Sequence, residues 1–207
     1  MYQGIKRFAD IVIAAVAVVI LCPLFFIIWL AIRLGSSGPA VFKQRRAGKN
    51  GVGFTFYKFR TMRMDVDPFG PSPKSGEDAR ITKVGRFLRE YSLDELPQLV
   101  NVLKGDMSIV GPRPLYISQM AEWKDRQKRR LLVKPGLTGL AQISGRGELT
   151  IEEKLDLDVR YVESAGVWLD VKIFFATITQ VFFKKSIYEK NYSQTESTRG
   201  DKHGKRI

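Results

Sequence analysis

Residues 11–34 constrain this chain more than any other stretch, because they run from Ile11 to Leu34 with one charge, Arg33, close to the end. As a single helix they would extend roughly 36 Å, enough to cross a hydrocarbon core of about 30 Å. The run is too long for the apolar part of a cleaved leader and lacks a small-residue cleavage site. Bulky Leu21 before Cys22, and Pro23 after it, argue against a lipid-modified cysteine. Pro23 falls mid-run, where it removes one ladder hydrogen bond and disfavours helical geometry at Cys22. Each half would then cover roughly 17 Å, about half of the core thickness. Two geometries are open: a straight span with a tolerated kink, or a bent, re-entrant hairpin. Basic residues flank both ends, Lys6 and Arg7 before, then Arg33, Lys43, Arg45 and Arg46. The positive-inside tendency draws both ends to the cytoplasm, as a hairpin would require, and puts the rest of the chain there under either geometry.

At 207 residues the chain holds one ordinary domain plus this appendage. Its formal charge of +13 calls for anionic partners: nucleic acid, a phosphorylated substrate or an anionic membrane surface. The single cysteine, Cys22, excludes an internal disulfide framework. The single histidine, His203, lies in a polar tail, which speaks against a His-based triad, a His-rich metal site and a zinc finger. Any catalysis must therefore come from carboxylates, Arg, Lys, Tyr or Ser.

Residues 41–62 read as a β-hairpin, with Gly48-Lys49-Asn50-Gly51 at the turn. Its second arm ends in KFRTM, where cations alternate with an aromatic. Residues 63–80, rich in Pro, Gly, Ser and Asp, read as a mobile loop. A short helix is expected over 81–90. Residues 92–105 then read as the start, body and stop of a further helix. Leu96, Leu99, Val100 and Leu103 form one apolar stripe, Pro97 is tolerated in the first turn, and Gly105 stops the helix. Asp94 and Glu95 would stand at the positive end of that helix. Ser92 and Glu95 have capping-box spacing, so capping alone explains the pair when it is read by itself.

Arg113 changes that balance. It is held between Pro112 and Pro114, which restrict the local backbone, and a pre-set guanidinium suits bidentate contact with phosphate. An Asp can attack a phosphoryl group in place of a His-activated nucleophile. Further on, 116–132 read as a basic helix, and Thr150 with Glu153 opens a helix running to about 163. Residues 167–183 read as an interfacial helix too short for a second span. The polar tail from 188 to 207 is expected to be disordered.

Five segments in order carry a resemblance: KFRTM (58–62), ITKVGRFLR (81–89), SLDELPQLVNVLKGDMSIVGPRP (92–114), KPGLTGLAQISGR (134–146) and WLDVKI (168–173). Together they resemble the bacterial sugar transferases of the monotopic phosphoglycosyl transferase superfamily, in their small form. The resemblance implies transfer of a phosphosugar from a UDP-sugar to polyprenyl (undecaprenyl) phosphate, with release of UMP, as the first membrane step of glycan assembly. It implies that Asp94 is the nucleophile, forming a covalent aspartyl-phosphosugar, with Glu95 assisting and both acids near Mg²⁺. Lys58, Arg89, Arg113 and Arg146 become candidates for phosphate contacts, Pro112 and Pro114 border the nucleotide, and Asp170 is a further substrate-binding candidate.

A re-entrant hairpin broken at proline is also implied, which favours the bent geometry. The expected fold is α+β and mostly helical. Residues 1–40 form a re-entrant membrane helix-break-helix. Residues 41–187 form a cytoplasmic catalytic domain at the membrane interface, with a small β-hairpin and amphipathic interfacial helices, and 188–207 form the tail. The bacterial inner membrane is the expected location, with anionic lipid as a partner and nucleic acid excluded. Gly147 and Ser144 depart from the usual pattern, which leaves the sugar open. The rival reading is a non-catalytic, membrane-anchored basic module, which accounts for the charge and the anchor but not for the acid pair or the Pro-Arg-Pro segment.

Overall fold

The computed structural model describes residues 2–67, 73 and 75–182. Its first element, α1 (Tyr2–Gly35), is helical throughout, with Pro23 inside it. It is long and apolar enough to cross a membrane. The expected interruption is not present: the helical backbone continues through Pro23. One missing hydrogen bond is a small loss in a helix of this length, and neighbouring turns carry it. Most of its apolar surface faces outward, including Val19, Ile20, Phe26, Ile27 and Leu34. Ala14 packs in one cluster with Leu99 and Val102, while Ile28 and Ile32 pack in another with Phe59 and Leu88. Both halves of α1 therefore rest on the same folded unit. Arg7 adds a polar anchor by donating to the carbonyls of Val102 and Leu103, at 2.6 and 3.0 Å, at a helix C-terminus where a cation is favoured.

The hairpin forms as the sequence predicts. Strand β1 (Val41–Ala47) pairs antiparallel with β2 (Gly53–Phe59), placing Phe42 opposite Lys58 and Gln44 opposite Phe56. Asn50 and Gly51 take the left-handed conformation at the turn, with φ of 56° and 76°. Helix α2 (Lys83–Glu90) starts at Thr82, whose hydroxyl accepts from the Gly85 N–H. Gly85 lies so close to the strand's exit that a Cβ there would meet the Thr61 carbonyl oxygen at 2.0 Å.

The next segment differs from the expected single helix. Ser92 is left-handed (φ 55°) and does not cap; Leu93–Glu95 form one 3₁₀ turn; α3 (Gln98–Lys104) begins only after Pro97. The apolar face also shifts, because Leu99 and Val102 are buried while Val100 is exposed. Gly105, left-handed at φ 89°, ends the helix as its position implies.

A second, parallel pair was not legible in the sequence. Strand β3 (Ser108–Val110) aligns with β4 (Gly136–Thr138), Ser108 opposite Gly136 and Val110 opposite Thr138. Residues between them do not form the single basic helix expected. They form a 3₁₀ stretch (Ile117–Glu122), the one-turn α4 (Asp125–Lys128) and a second 3₁₀ turn (Arg129–Leu132), pinned by buried Trp123.

After the short α5 (Leu140–Ser144), α6 (Ile151–Ser164) opens with the expected reciprocal cap between Thr150 and Glu153. Helix α7 (Val167–Phe182) buries Ile173 and leaves Val167, Trp168, Phe175 and Ile178 exposed. The fold is thus mostly helical with two small sheets, and its main core joins α1, α3, α6 and α7 around Met107 and Ile109. Part of the 63–80 loop, Lys184 and Lys185, and the tail from 188 lie outside the described residues.

Candidate active site

The 3₁₀ turn at Leu93–Glu95 buries both acids, Asp94 at 3% exposure and Glu95 at 9%. Each has its own cation. Lys58, on β2, stands 2.6 Å from Asp94 Oδ2. Arg113, leaving β3 between its two prolines, donates to both oxygens of Glu95 at 2.7 and 3.3 Å. Burial pushes the Glu95 carboxyl up, but Arg113, Lys58 and Arg146 together outweigh it and hold it well below the usual carboxylate range. Glu95 is therefore a carboxylate at neutral pH, held so by the cations around it.

Arg146 closes the constellation from the other side. It takes φ 49° after Gly145, and its Nη2 donates to Ser92 Oγ at 2.9 Å. Two non-glycine residues in the left-handed region thus hold each other across the acid pair, and such strain persists where surrounding structure fixes it. Burial pulls the Arg146 guanidinium below its ordinary value, with Glu95 drawing it back. Arg89, on α2, lies alongside and donates to Thr61 Oγ1 at 2.9 Å.

A second layer fixes Arg113. Arg130, stacked over Trp123 at 4.9 Å, donates to the Arg113 carbonyl and pairs with Asp158 at 2.7 and 3.0 Å. Both partners are almost fully buried. Removing one would leave a buried charge unpaired, so this pair specifies the geometry of the Arg113 segment more than it adds stability.

These groups meet in a cavity of about 680 Å³. Its wall carries nine Lys or Arg and four Asp or Glu side chains, which suits an anionic ligand. Lys58, Arg89, Asp94, Glu95, Arg113, Pro114 and Arg146 all line it. Pro112 does not, although its carbonyl accepts from Gly136 N–H and so anchors the segment on β4. Apolar Val41, Phe42, Met62, Met64 and Val66 line the part formed by β1 and the chain beyond β2.

Asp170 is not brought to this cavity. It stands in the first turn of α7, where it accepts from Tyr2, Lys6 and Tyr161 at 2.7–2.8 Å and clasps α1 to the body of the protein. Burial and the neighbouring Asp170 carboxylate push the Tyr161 hydroxyl above its ordinary value, so it remains a donor. Sequence reasoning passed over Gln44 and Gln142 and assigned no chemistry to Asp158, and all three line the cavity. Gln142 lies within the quoted KPGLTGLAQISGR segment, four residues before Arg146, and that spacing was the available signal.

Among the described residues, no cluster of three or more acidic, His or Cys side chains forms a metal cage. Mg²⁺ typically takes one or two carboxylates and completes its shell with water and substrate phosphates. Asp94 and Glu95, adjacent and facing a cationic cavity, fit the protein's share of such a site.

Sequence comparison gives consistent relatives. The family model for bacterial sugar transferases matches residues 1–184. An uncharacterized sugar transferase, EpsL, of Bacillus subtilis is 43% identical, covering 95% of this chain and 96% of its own. The galactosyl transferase CpsE of Streptococcus agalactiae is 44% identical over 85% of this chain and 42% of its own. The UDP-glucose:undecaprenyl-phosphate glucose-1-phosphate transferase of Escherichia coli is 41% identical over 89% of this chain and 41% of its own. The chain therefore spans about two fifths of those last two relatives and nearly all of EpsL.

Proposed function

The chain belongs to the bacterial sugar transferase family, and we propose that it transfers a sugar-1-phosphate from a UDP-sugar to undecaprenyl phosphate at the cytoplasmic face of the inner membrane. The observation that carries this reading is the buried acid pair at the wall of a cationic cavity, one acid on Lys58 and the other on Arg113. A purely electrostatic binding surface has no use for two buried carboxylates.

Asp94 attacks the β-phosphorus of the donor. A bond forms from its carboxylate oxygen to phosphorus, and the bond from that phosphorus to the bridging oxygen breaks, releasing UMP. Lys58 holds Asp94 in place, and passes to the incoming phosphoryl oxygens as the carboxylate charge is consumed. Arg113 and Arg146 donate to the diphosphate, with the prolines holding Arg113 ready so that little ordering is needed on binding. A phosphate oxygen of the lipid acceptor then attacks the same phosphorus and expels Asp94 as a carboxylate. Glu95 stays ionised and positions Arg113, and with Asp94 it would hold magnesium, which would supply charge neutralisation for the anionic groups when bound.

The polyprenyl chain enters along Val41, Phe42, Met62 and Met64. Helix α1 anchors the protein in the membrane through its outward apolar face, while both of its halves rest on the same folded unit. The exposed apolar face of α7 lies in the interface beside it, with anionic lipid meeting the basic surface. The test is UMP release from UDP-glucose or UDP-galactose in the presence of undecaprenyl phosphate. Asp94→Asn, nearly isosteric, is expected to abolish it, and normal turnover by that variant would remove the nucleophile assignment.

A further inference from the structure

Among the described residues, seven buried side-chain atoms have no hydrogen-bond partner in the protein, and five of them belong to residues lining the active cavity. Buried polar atoms are rarely left unpaired, so a cluster of them around one cavity indicates groups reserved for a ligand. Arg60 Nε is one, but its other nitrogens are bound to Ser36 and Ser37. The remaining four are both amide atoms of Gln142, Nε2 of Gln44 and Oδ1 of Asp158. Gln142 is 8% exposed, Gln44 7% and Asp158 2%.

The chemistry of these atoms selects the part of the ligand they can meet. Oδ1 of Asp158 and Oε1 of Gln142 only accept, so they disfavour phosphate and ask for a donor. The amide of Gln142 offers a donor and an acceptor together, which matches a hydroxyl, and the match survives exchange of its oxygen and nitrogen. Asp158 is held rigid through its other oxygen by Arg130, so Oδ1 cannot turn away. Several unpaired atoms call for several hydroxyls. A ribose within a nucleotide has fewer free hydroxyls than a hexose linked through its anomeric oxygen.

We infer that Gln142, with Asp158 and Gln44, forms the subsite that binds the sugar hydroxyls of the donor and discriminates between UDP-sugars. This rests on the transferase reading above and adds to it the residues that read the sugar. The phosphates occupy the Lys58, Arg113 and Arg146 region, and the neutral ring meets the uncharged amides.

The experiment is Gln142→Met in the full-length protein, assayed for binding of UDP-glucose, UDP-galactose and UDP alongside its thermal midpoint. Methionine keeps the length of the side chain and removes both polar atoms. Affinity for at least one UDP-sugar is expected to fall about tenfold or more. Affinity for UDP is expected to stay unchanged, and the thermal midpoint of the empty protein to hold or rise. Unchanged affinity for both sugars, or an equal loss for UDP, would overturn the sugar subsite while leaving the transferase reading intact. Collapse of both Gln142→Met and Gln142→Ala would show that the amide serves the fold, and would overturn it too. A wild-type protein that releases no UMP from either donor would overturn the function itself and the subsite with it.

Discussion

Asp94 and Glu95 are neighbours in the chain yet answer to different cations, and that division sets what each can do. Lys58 is a point charge on a flexible stem, able to follow charge from carboxylate to phosphate, whereas Arg113 is a planar fork held on Glu95. Arg113→Lys keeps the charge and loses the two-bond geometry. It is expected to lower kcat/KM about 10- to 100-fold, measured as UMP release, while Asp94 can still be labelled. Glu95 gives a pH-dependent readout. Arg113 and its companions hold its carboxyl below the ordinary range, so on acidification the unfolded chain binds that proton first. Its contribution to stability is present above the ordinary Glu value and drains as pH falls below it. The gap in thermal midpoint between wild type and Glu95→Gln is therefore expected to be widest near neutrality and to close below about pH 4.

At the scale of elements, legibility followed the range of the forces involved. The hairpin and the start of α6 were readable because their signals are local: an Asn-Gly turn and a Thr-Glu cap. The segment around Ser92 was misread because Ser92 is left-handed where a cap is extended, and its hydroxyl accepts from a partner 54 residues away, Arg146. The β3–β4 pair escaped because each strand has three residues, too few for a period. Asp170 carries the same lesson: its motif was visible, but its partners Tyr2 and Lys6 lie at the other end of the chain. Asp170→Asn is expected to cost about 1–3 kcal/mol of stability, seen by thermal denaturation, with KM for the donor unchanged. A raised KM at intact stability would return Asp170 to the substrate. Gly85→Ala pushes a methyl group into the Thr61 carbonyl and is expected to separate α2 from the strand's exit, lowering the thermal midpoint and carrying Arg89 out of place.

As a whole molecule, the protein is a cationic catalytic unit resting along an apolar helix, with its cavity between the β1–β2 hairpin, the Asp94–Glu95 turn and the segments bearing Arg113 and Arg146. Two apolar surfaces remain open, the outward face of α1 and the face of α7 bearing Trp168 at 82% exposure. If α7 lies in the interface, brominated lipids in a nanodisc are expected to quench Trp168, and Trp168→Phe to remove that quenched fraction. Equal quenching in both proteins would place α7 away from lipid. The central claim, however, is covalent chemistry at Asp94, and trapping tests it most directly. Full-length protein is incubated with magnesium and UDP-glucose or UDP-galactose labelled in the β-phosphate, without lipid acceptor. Label is expected on the protein in the peptide containing Asp94, released by hydroxylamine as an acyl phosphate would be, in step with UMP, and discharged on adding undecaprenyl phosphate. UMP release that requires the acceptor and leaves no label on the protein, or equal labelling of Asp94→Asn, would contradict it.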